Sequence, residues 1–212
     1  RFRNVTGVQT CALPISWLAL SCAGIAFREV LIKLRAPDTK AQIGAVSPSG
    51  KVPLLKIEGE GAPRLVWDSL AILETLAERH PGALAWWPRD AHAREMARSI
   101  AAEMHSGFAD VRNQLPMEIA AVKPAPALED SAKAQIARID ALWAEARERF
   151  GKGGDFLFGG FGIADAMYAP VVTRFRTYGI ALSSVSSAYS KAVLSLPPMR
   201  AWEEATKAEA AS

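Results

Sequence analysis

One segment of the chain, residues 47–79, constrains the fold more than any other. Within it, the runs Val52–Ile57 and Leu65–Trp67 are short and apolar, and the turn between them is polar and rich in glycine. This pattern predicts a β-hairpin. Because proline has no N–H group, Pro53 must lie at the start or the edge of its strand, and the bond between Val52 and Pro53 is a candidate cis peptide. A cis bond would turn the Val52 backbone outward, where an extended, peptide-like ligand can pair with it.

A helix is predicted directly after this hairpin. Apolar side chains recur at helical spacing over residues 70–77, and a His-Pro-Gly sequence at residues 80–82 ends the pattern. Asp68 stands at the predicted N-cap and Ser69 in the first turn, where N–H groups and the helix dipole favour a carboxylate or a phosphate. Aspartate and serine are also the common choices for capping a helix, so capping and anion binding both remain open.

The sequence GKVPLL, followed after a short interval by WDSLAILETLAE, resembles the thioredoxin-like N-terminal domain of the glutathione transferases. The resemblance implies that Val52, before a cis Pro53, offers its backbone to the cysteinyl part of glutathione. By its position Lys51 is a further candidate contact, and a solvated surface side chain is the alternative interpretation of it. It also implies that Asp68 and Ser69 hold the γ-glutamyl carboxylate. The expected fold is an α/β thioredoxin-like domain followed by an all-α helical bundle. Nearly the whole chain is similar to the bacterial serine-type members, which are related to the maleylacetoacetate isomerases.

The N-terminal residues 1–16 do not resemble the family. The family has a first strand there, then a loop with a catalytic Ser, Tyr or Cys, and we expect the natural strand and its serine to be absent from this sequence. Counting back from Trp17, Cys11 falls where a family serine would stand. Cys11 is therefore a candidate catalytic thiol and equally a candidate for an inert buried side chain. A short helix ending at Gly24 and a strand over Phe27–Leu34 are predicted next.

The composition excludes several classes of protein. With 25 Lys and Arg against 22 Asp and Glu, the net charge is only +3 and the two signs are interspersed, so we expect neither a nucleic acid nor an anionic membrane as partner. Cys11 and Cys22 form neither a disulfide framework nor a CxxC motif, which favours a reducing cytoplasm. The apolar stretch near the N terminus is too short for a membrane span and is interrupted by Pro14 and Gly24. It follows basic residues as a secretory signal does, but it continues into FREVLIKL without a small-residue cleavage site, so we do not expect a signal. The three histidines have no metal-ligand spacing.

The remainder of the chain is rich in alanine and predicts a second, all-helical domain. We place the glutathione-binding domain at residues 1–80, a linker at 81–90 and the helical domain at 91–212. One long amphipathic helix is expected over Ala91–Leu115 and another over Glu129–Phe150. Four side chains of the first helix form a candidate pocket for a hydrophobic second substrate, although packing in a core explains such spacing equally well; they are Met104, His105, Phe108 and Arg112.

A second recognisable segment, GGFGIADAMYAPVV, begins at Gly159. Family members have Ser or Thr three residues before the aspartate that corresponds to Asp165, and the pair forms a capping box on a buried helix. Gly162 occupies the hydroxyl position here. We therefore expect Asp165 to be a structural cap rather than a catalytic residue, and we expect the cap to be weakened.

The resemblance implies a cytosolic glutathione transferase, a homodimer that activates the thiol of glutathione and transfers it to a small hydrophobic electrophile. Glutathione is then a co-substrate, and no metal or permanently bound cofactor is expected. Two alternatives remain open: a non-catalytic binding or scaffold module on the same fold, and a glutathione-dependent isomerase or peroxidase.

Overall fold

The computed structural model describes residues 2–8, 13–34, 36–59 and 61–210. The chain divides into two compact units, Arg1–Leu84 and Ala85–Ser212. The division after Leu84 falls inside the segment 81–90, where proline and glycine interrupt the regular pattern.

Within its described residues, the first unit contains a four-stranded mixed sheet and three helices. The strands lie in the order β2-β1-β3-β4, with β1 parallel to β2 and the pairs β1/β3 and β3/β4 antiparallel. This is the strand and helix order of a thioredoxin-like domain, so the predicted α/β class is confirmed. The elements are β1 (Phe2–Val8), α1 (Leu13–Cys22), β2 (Phe27–Lys33), α2 (Thr39–Val46), β3 (Leu54–Ile57), β4 (Arg64–Trp67) and α3 (Ser69–Arg79).

Strand β3 and helix α3 of the segment 47–79 bury apolar side chains in this unit, whereas strand β4 is mostly exposed. Leu54 and Leu55 of β3 and Leu73 and Leu76 of α3 are at most 1% exposed. Each such side chain stabilises the fold by about 1.5–3 kcal/mol relative to leaving it in water. The apolar pattern seen in the sequence is thus the pattern that builds the core, which is why the strands and the helix form where they are predicted.

The N-terminal segment forms a strand although its sequence does not resemble the family, and the absence of the natural strand and its serine stays a prediction. The strand β1 lies in the middle of the sheet, and its residues pair with β2 on one side, from Phe2 opposite Phe27 to Val8 opposite Lys33, and with β3 on the other. A first strand is therefore present, although its sequence does not resemble that of the family. The physical reason is that strands pair through backbone hydrogen bonds, so an extended segment of this sequence can bond to β2 on one side and to β3 on the other. Cys11 lies outside the described residues.

The second unit is all-helical, which confirms the second half of the predicted fold. The helix over Ile163–Thr177 is buried along nearly its whole length. The ring of Trp143, from the preceding helix, packs against the rings of Tyr168, Phe175 and Tyr189 at centroid distances of 5.5, 5.7 and 5.0 Å. None of the helices in the described ranges is long and apolar enough to cross a membrane. The elements are α4 (Ala91–Ser106), α5 (Ala109–Gln114), α6 (Asp130–Phe150), α7 (Ile163–Thr177), α8 (Ser184–Ser195) and α9 (Pro197–Ala210).

The single helix predicted over Ala91–Leu115 is wrong, because the chain forms two helices there. The helix α4 ends at Ser106, and the N–H group of its C-cap residue Gly107 donates to the Glu103 carbonyl at 2.8 Å. Phe108 adopts a left-handed conformation with φ of 56°. The Phe108 side chain is nevertheless only 7% exposed. Burial of this ring compensates for a backbone conformation that helical periodicity does not reveal.

Candidate functional site

Asp68 is the single residue between strand β4 and helix α3. Its φ of 75° is rare for a residue other than glycine, and it turns the chain sharply from the strand into the helix. Its Oδ1 atom accepts hydrogen bonds from the N–H groups of Leu70 at 2.9 Å and Ala71 at 3.3 Å. Asp68 is therefore an N-cap, as the capping interpretation of the sequence expects.

Ser69 is the first residue of α3 and is 5% exposed. It brings a backbone N–H group and a hydroxyl to the positive end of the helix dipole. The Asp68 carboxylate is occupied with the N–H groups of the first turn and repels an approaching anion. Within this pair, the donors suited to a ligand carboxylate thus come from Ser69, while Asp68 gives the turn its shape.

The second motif lies at the same end of the hairpin. The peptide bond between Val52 and Pro53 is cis, and β3 begins at the next residue, Leu54. Leu54 is paired with Trp67, the last residue of the antiparallel strand β4. One step beyond that pair on each strand are Pro53 and Asp68. The register therefore brings the two motifs together, with Val52 partly buried between exposed Lys51 and buried Pro53.

The four residues of the candidate second-substrate pocket lie at the junction of α4 and α5. Met104 and Phe108 are 6% and 7% exposed, and His105 is exposed in the last turn of α4. Arg112 donates to the carbonyl oxygens of Met104 at 3.2 Å and of Gly107. In the second unit Met104 and Phe108 thus pack the core, and Arg112 holds the turn between the two helices.

Asp165 is 1% exposed and lies at the start of the buried helix α7. Its carboxylate accepts hydrogen bonds from the N–H groups of Leu157 at 3.0 Å and Gly162 at 2.9 Å. Burial raises the pKa of Asp165 to about 6, and the two backbone hydrogen bonds partly offset that rise. The side chain thus ties the preceding loop to the helix, which is a structural function.

The expectation that Gly162 merely weakens this cap needs correction. A Cβ atom at position 162 would lie 2.6 Å from the Ala85 carbonyl oxygen and 2.9 Å from that of Trp86. The Trp86 carbonyl also accepts the N–H group of Ile163 at 3.0 Å. The backbone of residues 85–86 therefore fills the space of the missing side chain and satisfies one of the N–H groups at the start of α7.

The sequence interpretation missed residues that shape the first unit's candidate site. Ser47 and Ser49, the two serines shortly before the GKVP sequence, bond to the backbone of Lys51, and their residue types alone do not distinguish them from ordinary loop serines. Among the residues that the structure describes, no three His, Cys, Asp or Glu side chains are grouped as metal ligands.

Comparison with known proteins identifies the two units. The family model for the glutathione S-transferase N-terminal domain matches residues 15–79, and the model for the C-terminal domain matches residues 96–205. A probable maleylacetoacetate isomerase from Caenorhabditis elegans is 29% identical over 101 residues, which are 46% of this chain and 45% of that protein. The match thus spans less than half the length of this curated relative.

Solved structures show the same architecture over nearly the whole chain. A maleylacetoacetate isomerase from Anaeromyxobacter dehalogenans with bound GSH in its active site is 26% identical, with a TM-score of 0.67 and coverage of 94% of this chain and 93% of that chain. A glutathione transferase homologue from Burkholderia with bound glutathione is 18% identical, with a TM-score of 0.70 and coverage of 97% and 98%, and shows the likeness of fold. Because both family models match, in the order of the two structural units, the chain belongs to the glutathione S-transferase family.

Proposed function

We propose that the protein is a glutathione transferase that binds glutathione at the end of the β3–β4 hairpin. The observation that carries this proposal is the pairing of Leu54 with Trp67, which places Val52–Pro53 and Asp68–Ser69 side by side. One motif presents an extended backbone and the other the N terminus of a helix. Glutathione, a peptide with a carboxylate at each end, matches this combination.

Each part of the ligand has a partner in this arrangement. The N–H group and hydroxyl of Ser69 donate to the γ-glutamyl carboxylate, and the Val52 backbone pairs with the cysteinyl unit as an added strand would. The exposed ammonium group of Lys51 is available to the other carboxylate. Glutathione enters as a co-substrate, and the maleylacetoacetate isomerase from Anaeromyxobacter dehalogenans with bound GSH supports this use of the fold.

The reaction begins with transfer of the thiol proton of glutathione to solvent water. The thiolate sulfur then attacks an electrophilic carbon of a small hydrophobic substrate, a C–S bond forms, and the leaving group departs with its electron pair. A thiolate at neutral pH needs a hydrogen-bond donor and a positive environment, which lower the thiol pKa. The resemblance places the activating group before Trp17; Cys11, the candidate there, lies outside the described residues and stays a prediction.

Calorimetric titration with glutathione tests the proposal. We expect the wild-type protein to bind and Ser69→Ala to bind at least tenfold more weakly, because it loses a hydrogen bond to a charged group, worth about 1.5–3 kcal/mol. Cys11→Ala serves as the matched variant, since we expect it to keep its affinity even if the thiol takes part in catalysis. Absence of binding in a wild-type protein that melts cooperatively would favour the scaffold alternative.

A second candidate activity is glutathione-dependent isomerisation, and the likeness to two maleylacetoacetate isomerases favours it. Here the thiolate adds to a carbon–carbon double bond, the resulting single bond rotates, and elimination returns the thiolate, so glutathione is not consumed. We expect turnover of a cis-enone diacid, followed by proton NMR, with constant total thiol. Consumption of thiol with an aryl halide or a hydroperoxide, without turnover of the diacid, would instead identify a transferase or a peroxidase.

We also propose a cytoplasmic homodimer, in keeping with the family. Strand β4 is an edge of the sheet, and its Leu65 and Trp67 are 39% and 47% exposed. Apolar side chains on a sheet edge favour association, and a second copy of the chain would cover them. Two cysteines without a disulfide framework agree with a reducing compartment.

A further inference from the structure

The loop between α2 and β3 contains a small hydrogen-bonded ring that the proposed function does not use. Ser47 is 4% exposed, and its hydroxyl donates to the Lys51 carbonyl at 2.7 Å. The Ser47 and Ser49 hydroxyl oxygens are 3.1 Å apart, and the Ser49 oxygen accepts the N–H group of Lys51 at 3.3 Å. We call Ser47 and Ser49 the serine clamp, because together they hold both backbone groups of Lys51.

The directions of these bonds follow from the number of protons. Each hydroxyl has one proton to donate. Because the Ser47 proton is directed to the Lys51 carbonyl, the bond between the hydroxyls must use the Ser49 proton. The Ser49 oxygen then accepts from Lys51, and the ring closes on the residue where it began. Bonds in such a chain polarise and strengthen one another, so removal of one hydroxyl weakens the whole ring.

We propose that Ser47 is a positioning residue for glutathione, acting through the backbone of Lys51 and Val52. The inference rests on the proposed function, since it concerns the same ligand. Ser47 is itself fixed, because its N–H group caps helix α2 at the Ile43 carbonyl with a distance of 2.8 Å. The clamp therefore fixes Lys51 and Val52, which meet the ligand, relative to the C-terminal end of helix α2.

The clamp also determines which residue has backbone groups left to bind the ligand. The N–H and carbonyl groups of Lys51 are engaged by the clamp, Pro53 has no N–H group, and Leu54 is already part of the sheet. Val52 is thus the residue between the clamp and the strand. Its side chain is fixed by packing against the cluster of Ile32, Ile43 and Leu54.

One backbone hydrogen bond accompanies the clamp in this loop, from the Gly50 N–H group to the Ser47 carbonyl at 3.1 Å. Gly50 has a φ of 64°, with no atom within 4 Å of the place where a Cβ atom would stand. A glycine in open space loses much conformational freedom when it is ordered, so the loop depends on its hydrogen bonds. Loss of the clamp is expected to let Lys51 and Val52 move relative to Ser69, which weakens a ligand that must reach both.

Calorimetry and thermal melting of Ser47→Ala test this inference, with Ser99→Ala as the matched control. Ser99 is an exposed serine whose hydroxyl donates to the Glu95 carbonyl at 2.8 Å within α4. We expect Ser47→Ala to bind glutathione about fivefold more weakly, the effect of one neutral hydrogen bond, and Ser99→Ala to bind as the wild type does. Ser47→Thr keeps the hydroxyl on an extended backbone, with φ of −112° and ψ of 119°, and is expected to restore the affinity.

Three outcomes separate the inference from the proposed function. A wild-type protein that fails to bind glutathione overturns both. Equal affinity of the wild type and Ser47→Ala overturns the positioning role alone. A loss of affinity in Ser47→Ala that Ser47→Thr does not restore also overturns it, because packing rather than the hydroxyl would then be responsible. Exchange of the Lys51 amide hydrogen, measured by NMR without ligand, is expected to be faster in Ser47→Ala; unchanged exchange contradicts the clamp.

Discussion

Replacement of Asp165 by alanine is expected to lower the free energy of unfolding by about 3 kcal/mol at neutral pH. The change leaves the N–H groups of Leu157 and Gly162 without their acceptor inside the protein. Each unsatisfied buried donor costs about 1–3 kcal/mol, and relief from burying a charge returns part of that loss. Because the total stability of a domain is about 5–15 kcal/mol, the effect is large.

Urea unfolding of the variant and the wild type measures this difference. The control is Asp155→Ala, which removes an exposed carboxylate of the same loop and is expected to change stability by less than about 0.5 kcal/mol. If Asp165→Ala does not accumulate as a folded protein, Asp165→Asn keeps one acceptor oxygen and is expected to be intermediate. Equal stability of Asp165→Ala and Asp155→Ala would show that the carboxylate does not hold the loop to α7.

The same carboxylate gives stability a definite dependence on pH. Its pKa of about 6 in the folded protein lies above its ordinary value of 3.8, so between these values the folded state holds a proton that the unfolded state has lost. The contribution of this group is fully present below its unfolded pKa and is lost as the pH rises through 6. Acidification from pH 7 to pH 5 is therefore expected to add on the order of 1 kcal/mol from Asp165. Asp165→Asn is expected to lack this increment.

The sequence predicts well what depends on local pattern. The hairpin, the helix from Ser69 and the join at Asp68 follow from apolar periodicity and from residues with strong backbone preferences. The identities of these residues also carry the family resemblance. The pairing of Leu54 with Trp67, which brings the two motifs together, follows from hairpin geometry once both strands are recognised.

What the sequence does not predict depends on contacts between distant residues or on unusual backbone. The left-handed Phe108 interrupts the regular helical spacing of apolar residues over Ala91–Leu115. This turn forms because the Phe108 ring becomes buried and Arg112 donates hydrogen bonds to the carbonyl groups of the turn. The strand β1 has a sequence foreign to the family, yet it occupies the centre of the sheet. The serine clamp was hidden because serines beside proline and glycine are ordinary loop residues, and only their distances reveal a ring.

Gly162 also depends on contacts with distant residues that the sequence does not predict. For the stability of Gly162→Ser, the structure therefore leads to the opposite expectation from the family pattern. By that pattern, Gly162→Ser restores a capping hydroxyl and gains a few tenths of a kcal/mol. The structure indicates a loss of about 2 kcal/mol, because any Cβ atom there would lie 2.6 Å from the Ala85 carbonyl oxygen. The φ of Gly162 is −144°, a value open to every residue, so lack of space rather than backbone strain is the cause.

Thermal and urea unfolding of Gly162→Ser and Gly162→Ala decide between these two effects. Both variants are expected to be destabilised to a similar degree, since the clash belongs to the Cβ atom and the added hydroxyl compensates for little of it. Gly44→Ala is the matched control, because Gly44 lies within helix α2 with no atom within 4 Å of the added Cβ position. That variant is expected to gain up to about 1 kcal/mol. A Gly162→Ser protein more stable than the wild type would mean that residues 85–86 do not close over the start of α7.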